Sequence, residues 1–358
     1  MLRKIDFYII KKFLGTFFYA IALIISISIV FDVSENIDDF LSKDVPVKSI
    51  VFDYYLNFVP YFANLFSGLF TFIAVIYFTS KLAYNTEIIA ILSSGVSFRR
   101  LMRPYLVGAT VIAVFSYMLG NYVIPPANKK KNDFRHMYIG TRKPANEKNI
   151  HRQIEPGVFV YMSGYNASND VGYKFTIEKF VDRKLVSKLS AEYIKWDRDK
   201  KKWVVHEYNI RTIDGYTEKI SQGSEKDTTL NMLPEDYQVV ANVVETMTLP
   251  VLNKSISNLK LRGVNTIDYE IEKHKRRSGP FSAFVLTIIG VSLASRKIKG
   301  GIGFHLGLGL LLSFSYIMFM QVTTVFATGG LLAPWLAMWI PNIVYGGLAF
   351  YLYRRAAK

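Results

Sequence analysis

The sequence predicts a polytopic α-helical membrane protein, with six transmembrane helices in two sets of three and an all-β domain of jelly-roll or sandwich type inserted between them. Three observations predict it. Two strongly apolar blocks flank a polar block at residues 129–277. The apolar blocks contain five runs free of Asp, Glu, Lys and Arg, and a crossing needs about 20 apolar residues. The polar block has the short alternating stretches of a β domain.

The runs 13–31, 54–80, 104–128 and 278–295 each supply one span. The run 300–353 is too long for one and divides at Thr328, Gly329 and Gly330, with Pro334 opening the next helix. The expected organisation is 1–128 with three spans and a cytoplasmic helix at 82–94, 129–277 with the β domain and its linkers, and 278–358 with three more spans. The first run is followed by FDVSENIDDF, which has no small-residue cleavage site, so it reads as a retained helix.

Lys and Arg near span ends stay in the cytoplasm, whereas acidic residues say little. One side collects Arg3, Lys4, Lys11, Lys12, Lys81, Arg99, Arg100, Arg103, Arg296, Lys297, Lys299, Arg354, Arg355 and Lys358. The opposite loop, 32–53, has Lys43 and Lys48 against Asp32, Glu35, Asp38, Asp39, Asp44 and Asp53. Both termini are therefore expected in the cytoplasm and the polar block outside. That rim gathers 14 of the 44 Lys and Arg residues behind the +16 net charge, and it meets anionic headgroups rather than nucleic acid. With no cysteine, disulfides, iron–sulfur clusters and thiol catalysis are excluded.

In the polar block, VFVYM, YKFTIEKF, KLVSKLSAEYIKW, WVVHEYNIRTI and YTEKI read as strands, separated by NASND, DRDKKK and the Asp214–Gly215 hairpin signal. An ordinary soluble sensor domain would have the same composition. Elsewhere, catalytic motifs are lacking. The glycines of KGGIGFHLGLG have neither the lysine nor the preceding strand of a phosphate cradle, and Gly303 and Gly307 read as helix packing. The five histidines have no metal-ligand spacing, and no nucleophile elbow is present. The spans hold no ionisable residue mid-way, so they carry no ion-coupling signal. Asn57, Asn64, Asn121, Gln321 and Asn342 are expected to hydrogen-bond neighbouring helices. Transport energy would then come from another subunit.

The place to receive it is SKLAYNTEIIAILSSGVSFRR, between the second and third spans. Ile88, Ile91 and Leu92 form an apolar stripe there, Gly95 ends the helix, and Glu87 is one of two cytoplasmic-side acids, with Asp6. One carboxylate on a short helix in a basic rim suits docking into a partner's groove, and a surface helix with a solvated Glu fits the same residues.

NTEIIAILSSGVS resembles the coupling helix of the lipopolysaccharide-transport permeases of the LptF/LptG family. The resemblance extends over essentially the whole chain, through the order of spans and β block to GGIGFHLGLGLLLSFSY and GGLLAPWLAMWIPN. It implies the transmembrane subunit of an exporter that extracts lipopolysaccharide from the inner membrane. It further implies a second LptF/LptG-type permease, an LptB-type ATPase dimer that binds the ATP, and LptC-like and LptA-like periplasmic jelly-roll proteins. The chain itself would bind no cofactor, metal or nucleic acid, and Glu87 would dock into the ATPase.

EKHKRRSGPF breaks the positive-inside rule, because Lys273, Lys275, Arg276 and Arg277 lie at the outer end of the fourth span. Lys129, Lys130, Lys131 and Arg135 form a second outer cluster. Both suit an anionic ligand such as lipid A phosphate, and both equally suit ordinary phospholipid headgroups. Where family members carry basic residues at the outer end of the first span, this chain has Asp32, Glu35, Asp38 and Asp39, so no substrate role carries over to that helix. The competing readings are a permease of another lipid or lipoprotein ABC system, a membrane sensor or scaffold with a periplasmic β domain, and an integral-membrane transferase.

Overall fold

A computed structural model of the chain describes residues 4–139, 147–166, 169–182, 184–198, 200–215, 217–230, 232, 234, 243–261, 265–295 and 301–356. Arg3, Arg296, Lys297, Lys299 and Lys358 of the expected basic rim lie outside the described residues. The chain divides into a helical unit (Met1–Gly140, Val243–Leu252 and Ile267–Lys358) and a β unit (Thr141–Asn242 and Asn253–Thr266).

The helices are α1 (Lys4–Ser42), α2 (Val47–Ser49), α3 (Leu56–Leu65), α4 (Ser67–Tyr84), α5 (Glu87–Ser93), α6 (Phe98–Met118), α7 (Ile124–Tyr138), α8 (Val243–Thr246), α9 (Leu249–Leu261), α10 (Ile267–Ser278), α11 (Ser282–Ala294), α12 (Gly301–Thr328) and α13 (Pro334–Ala356). Among the described residues six stretches, built from α1, α4, α6 with α7, α10 with α11, α12 and α13, are long and apolar enough to cross a bilayer. The 39 residues of α1 extend about 58 Å at 1.5 Å per residue, well beyond a hydrocarbon core. Its inward stripe is Ile9, Phe13, Phe17 and Ile21, spaced by four. The run expected as one second span is two helices, broken at Phe66, and a π-helical turn at Leu119–Val123 joins α6 to α7.

Small residues let the central helices approach. A Cβ at Gly290 of α11 would lie 2.9 Å from Val75 of α4, and one at Gly309 of α12 would collide with Ile76. Among the described residues nothing lies within 4 Å of a Cβ built at Gly303 or Gly307, so neither is the close contact of α12 within this chain. The close contact sits further along α12, on the helix face that turns toward α4. The fifth and sixth spans part where expected. The amides of Gly329 and Gly330 close onto Val325 and Ala327, and Gly330 adopts φ +75°, the left-handed helix ending that glycine permits.

Of the polar span residues, Asn64 bonds Ser116 of α6 at 2.6 Å. Asn342 accepts from Tyr316 of α12 and donates to the Ser278 carbonyl of α10. Asn57 and Asn121 instead donate to carbonyls of their own helical segments, and Gln321 is exposed.

The β unit is one antiparallel sheet in sequential order: β1 (Glu147–Glu155), β2 (Val158–Asn166), β3 (Val171–Val181), β4 (Lys184–Asp197), β5 (Lys202–Asp214) and β6 (Thr217–Thr228). The inserted all-β domain is thus present, and the Asp214–Gly215 hairpin is where expected. Its described strands belong to a single open sheet. One face carries the core of Ile150, Val160, Met162, Tyr165, Phe175, Ala191, Ile194, Trp203 and Val205. Met232 covers that face, and its carbonyl accepts from the Trp203 indole at 3.0 Å. The inward parity changes across β3 to β5. Ala191 and Ile194 both face inward three residues apart, as do Val205 and Tyr208, and left-handed residues at Lys174 and Glu207 mark the switch.

Candidate functional site

At one end of the helical unit, Thr86 adopts φ +62° and turns the chain out of α4. The helix expected over 82–94 is therefore the last turn of α4 followed by α5, which ends at Gly95 with φ +85°. Ile88 is fully buried in a cluster with Leu82, Ala83, Phe98, Leu101 and Met102, and Ile91 packs against it. Leu92 points outward with Ile89 and Tyr84, so the expected stripe has two inward members and one outward. Glu87 opens α5, where the helix dipole favours a carboxylate, and accepts from the Asn85 amide at 3.3 Å.

The next helix is fastened separately. Ser97 caps α6 through the Arg100 amide, and the Arg100 guanidinium donates to both oxygens of the buried Asp6 at 2.8 and 2.6 Å. Lys81, Arg99 and Arg103 remain exposed around α5.

At the other end of the helical unit, α7 exposes Lys129, Lys130 and Arg135, while α10 exposes Lys275 and Arg277 and half-buries Lys273. Arg276 differs from its neighbours, with a side chain only 4% exposed. Its Nε donates to Glu272 at 2.7 Å, and its two terminal nitrogens donate to the carbonyls of Met247, Val244 and Glu245 at 2.7, 3.2 and 3.4 Å. Burial pushes the Glu245 carboxyl above its usual range; Glu272 adds to the shift, and Lys275, Lys131 and Arg276 oppose it. Lys131 lies 4.8 Å over the Tyr61 ring. Asp32, in the acidic stretch at the end of α1, accepts from the hydroxyls of Tyr54 and Tyr55.

Sequence reasoning missed Glu245, Glu272 and Tyr61 in this cluster. The Glu272 spacing, four residues before Arg276, is a helical pairing signal that could have found one of them.

The sequence model of the family described as lipopolysaccharide export system permease LptF/LptG matches residues 7–355. The chain belongs to this family. No curated protein matches it. As an LptF/LptG permease it is a multi-pass inner-membrane protein of a lipopolysaccharide transport complex, with its β unit inserted between the third and fourth spans.

Proposed function

We propose that this permease is the non-catalytic transmembrane subunit of an ATP-driven exporter, which extracts lipopolysaccharide from the inner membrane and passes it to a periplasmic jelly-roll bridge. The observation that carries the reading is α5, a short helix anchored by Ile88 that exposes Ile89 and Leu92 beside a half-buried Glu87 at the end of the bundle. An LptB-type ATPase dimer binds ATP and docks there, on the cytoplasmic side with both termini. A second LptF/LptG-type permease completes the transmembrane part. The β unit stands in the periplasm and delivers lipid to LptC-like and LptA-like partners. Lys273, Lys275, Arg277 and Arg135 supply cations for lipid A phosphates.

The test is ATP-dependent lipopolysaccharide release from proteoliposomes that hold the chain with its co-purified partners. Glu87→Lys should insert normally yet lose release, because a like charge facing a docking groove costs several kcal/mol, on the order of 100-fold. Normal release by that variant would contradict the docking.

A further inference from the structure

We propose that Arg276 is a positioning residue for lipid hand-over rather than a phosphate ligand, pinning the segment that returns from the β unit to the fourth span. The proposal rests on the exporter reading above. Residues 243–252 pack as part of the helical unit, and α8 is only four residues long. A helix that short does not sustain itself, and a single turn makes few backbone bonds of its own. The Met247 amide closes onto the Val244 carbonyl at 3.3 Å, and Arg276 adds donors to the carbonyls of Val244, Glu245 and Met247.

Glu272 balances the buried guanidinium at 2.7 Å and has Lys275 within 3.8 Å. A planar fork can serve these acceptors together, whereas an ammonium is a single point charge. On the other flank α8 packs against α7, and the Glu245 carboxyl feels Lys131 of α7 as well as Lys275 of α10. The returning segment is therefore gripped by the last helix before the β insertion and the first helix after it. Rearrangement of the fourth span reaches the segment through Arg276, and that of the third through the contact of α7 with α8. Arg277, one residue on, is exposed and has no such bonds among the described residues, which makes it the internal control.

Two readouts test this on the full chain with its partners. In hydrogen–deuterium exchange, Arg276→Ala should speed exchange of the 244–252 amides by about tenfold or more, as loss of buried charge-assisted bonds implies. Arg277→Ala should leave those amides unchanged, and Glu272→Gln should fall between. In photo-crosslinking to lipopolysaccharide, probes replace Phe281 at the span end and Ile177 on the apolar side of the sheet. Arg276→Ala should keep the adduct at 281 and lose about tenfold at 177, with Arg276→Lys recovering only part of the loss. Arg277→Ala should instead weaken the adduct at 281.

Unchanged amide exchange in Arg276→Ala would overturn the clamp. Equal loss of adduct at 281 and 177 would make Arg276 a direct ligand and overturn the positioning role. If Arg276→Ala does not insert, Glu272→Gln carries the same two readouts. A wild-type chain that crosslinks at neither position would sink the exporter reading and the hand-over role with it, while the amide readout still decides the clamp.

Discussion

The two ends of the helical unit use arginine in the same way. At the α5 end, Arg100 is taken by the buried Asp6, and Lys81, Arg99 and Arg103 stay exposed. At the α7 and α10 end, Arg276 is taken by Glu272 and three carbonyls, and Lys129, Lys130, Arg135, Lys275 and Arg277 stay exposed. Each end thus uses one guanidinium to hold a chain segment where it enters a span, and leaves most of its other cations exposed. The difference lies in what is held. Asp6 and Arg100 join two long helices, whereas Arg276 holds a four-residue helix that would not form alone. Counting cations therefore overstates the number free to meet a ligand, and burial separates the two kinds.

The largest effect that would break this comparison is charge reversal at Glu87, with its loss of release on the order of 100-fold. Next comes joint neutralisation of Lys273, Lys275, Arg277 and Arg135. With each cation near an anionic surface worth roughly 1 kcal/mol, lipopolysaccharide crosslinking should fall at least about tenfold and become less sensitive to salt. Unchanged crosslinking would return these residues to ordinary headgroup contact. Smaller again, Gly309→Leu should destabilise the helical unit by about 1–3 kcal/mol through overpacking on Ile76. Gly307→Leu, with open space around it, should leave thermal unfolding of the isolated chain unchanged.

The smallest effect concerns pH. Glu245 has its carboxyl pushed up by burial, with Glu272, Lys275, Lys131 and Arg276 facing it. Folding favours the protonated form, so its stabilising contribution is present at low pH and lost as pH rises through the folded-state value. Glu245→Gln should remove that part of the pH dependence of the unfolding midpoint. An identical pH profile in wild type and variant would place the carboxyl in water.

The spans were legible because a charge-free run of about 20 residues suits a bilayer-crossing helix and little else. The glycine turn at 329–330 was legible because glycine alone ends a helix there without strain. The breaks at Phe66 and at Asn85–Thr86 were not, since neither has a glycine or proline at the break and tertiary packing decides them. In the sheet, β1 escaped notice because EKNIHRQIE has only Ile150 and Ile154 as apolar positions. The parity switch at Lys174 and Glu207 was invisible for a related reason, as residues with side chains take up left-handed backbone there. For the site, the α5 face was read from Glu87, Ile88 and Ile91, but nothing in the residue order separates Arg276 from Arg277. Adjacent helix positions point about 100° apart, and only packing tells which one meets the returning segment.

The most direct test of the exporter account is native mass spectrometry of the tagged chain, gently extracted with its partners from its own cell envelope. The account predicts a complex with a second permease, an ATPase dimer and bound lipopolysaccharide, from which Glu87→Lys sheds the ATPase. Reproducible recovery of the intact chain without any ATPase would contradict it.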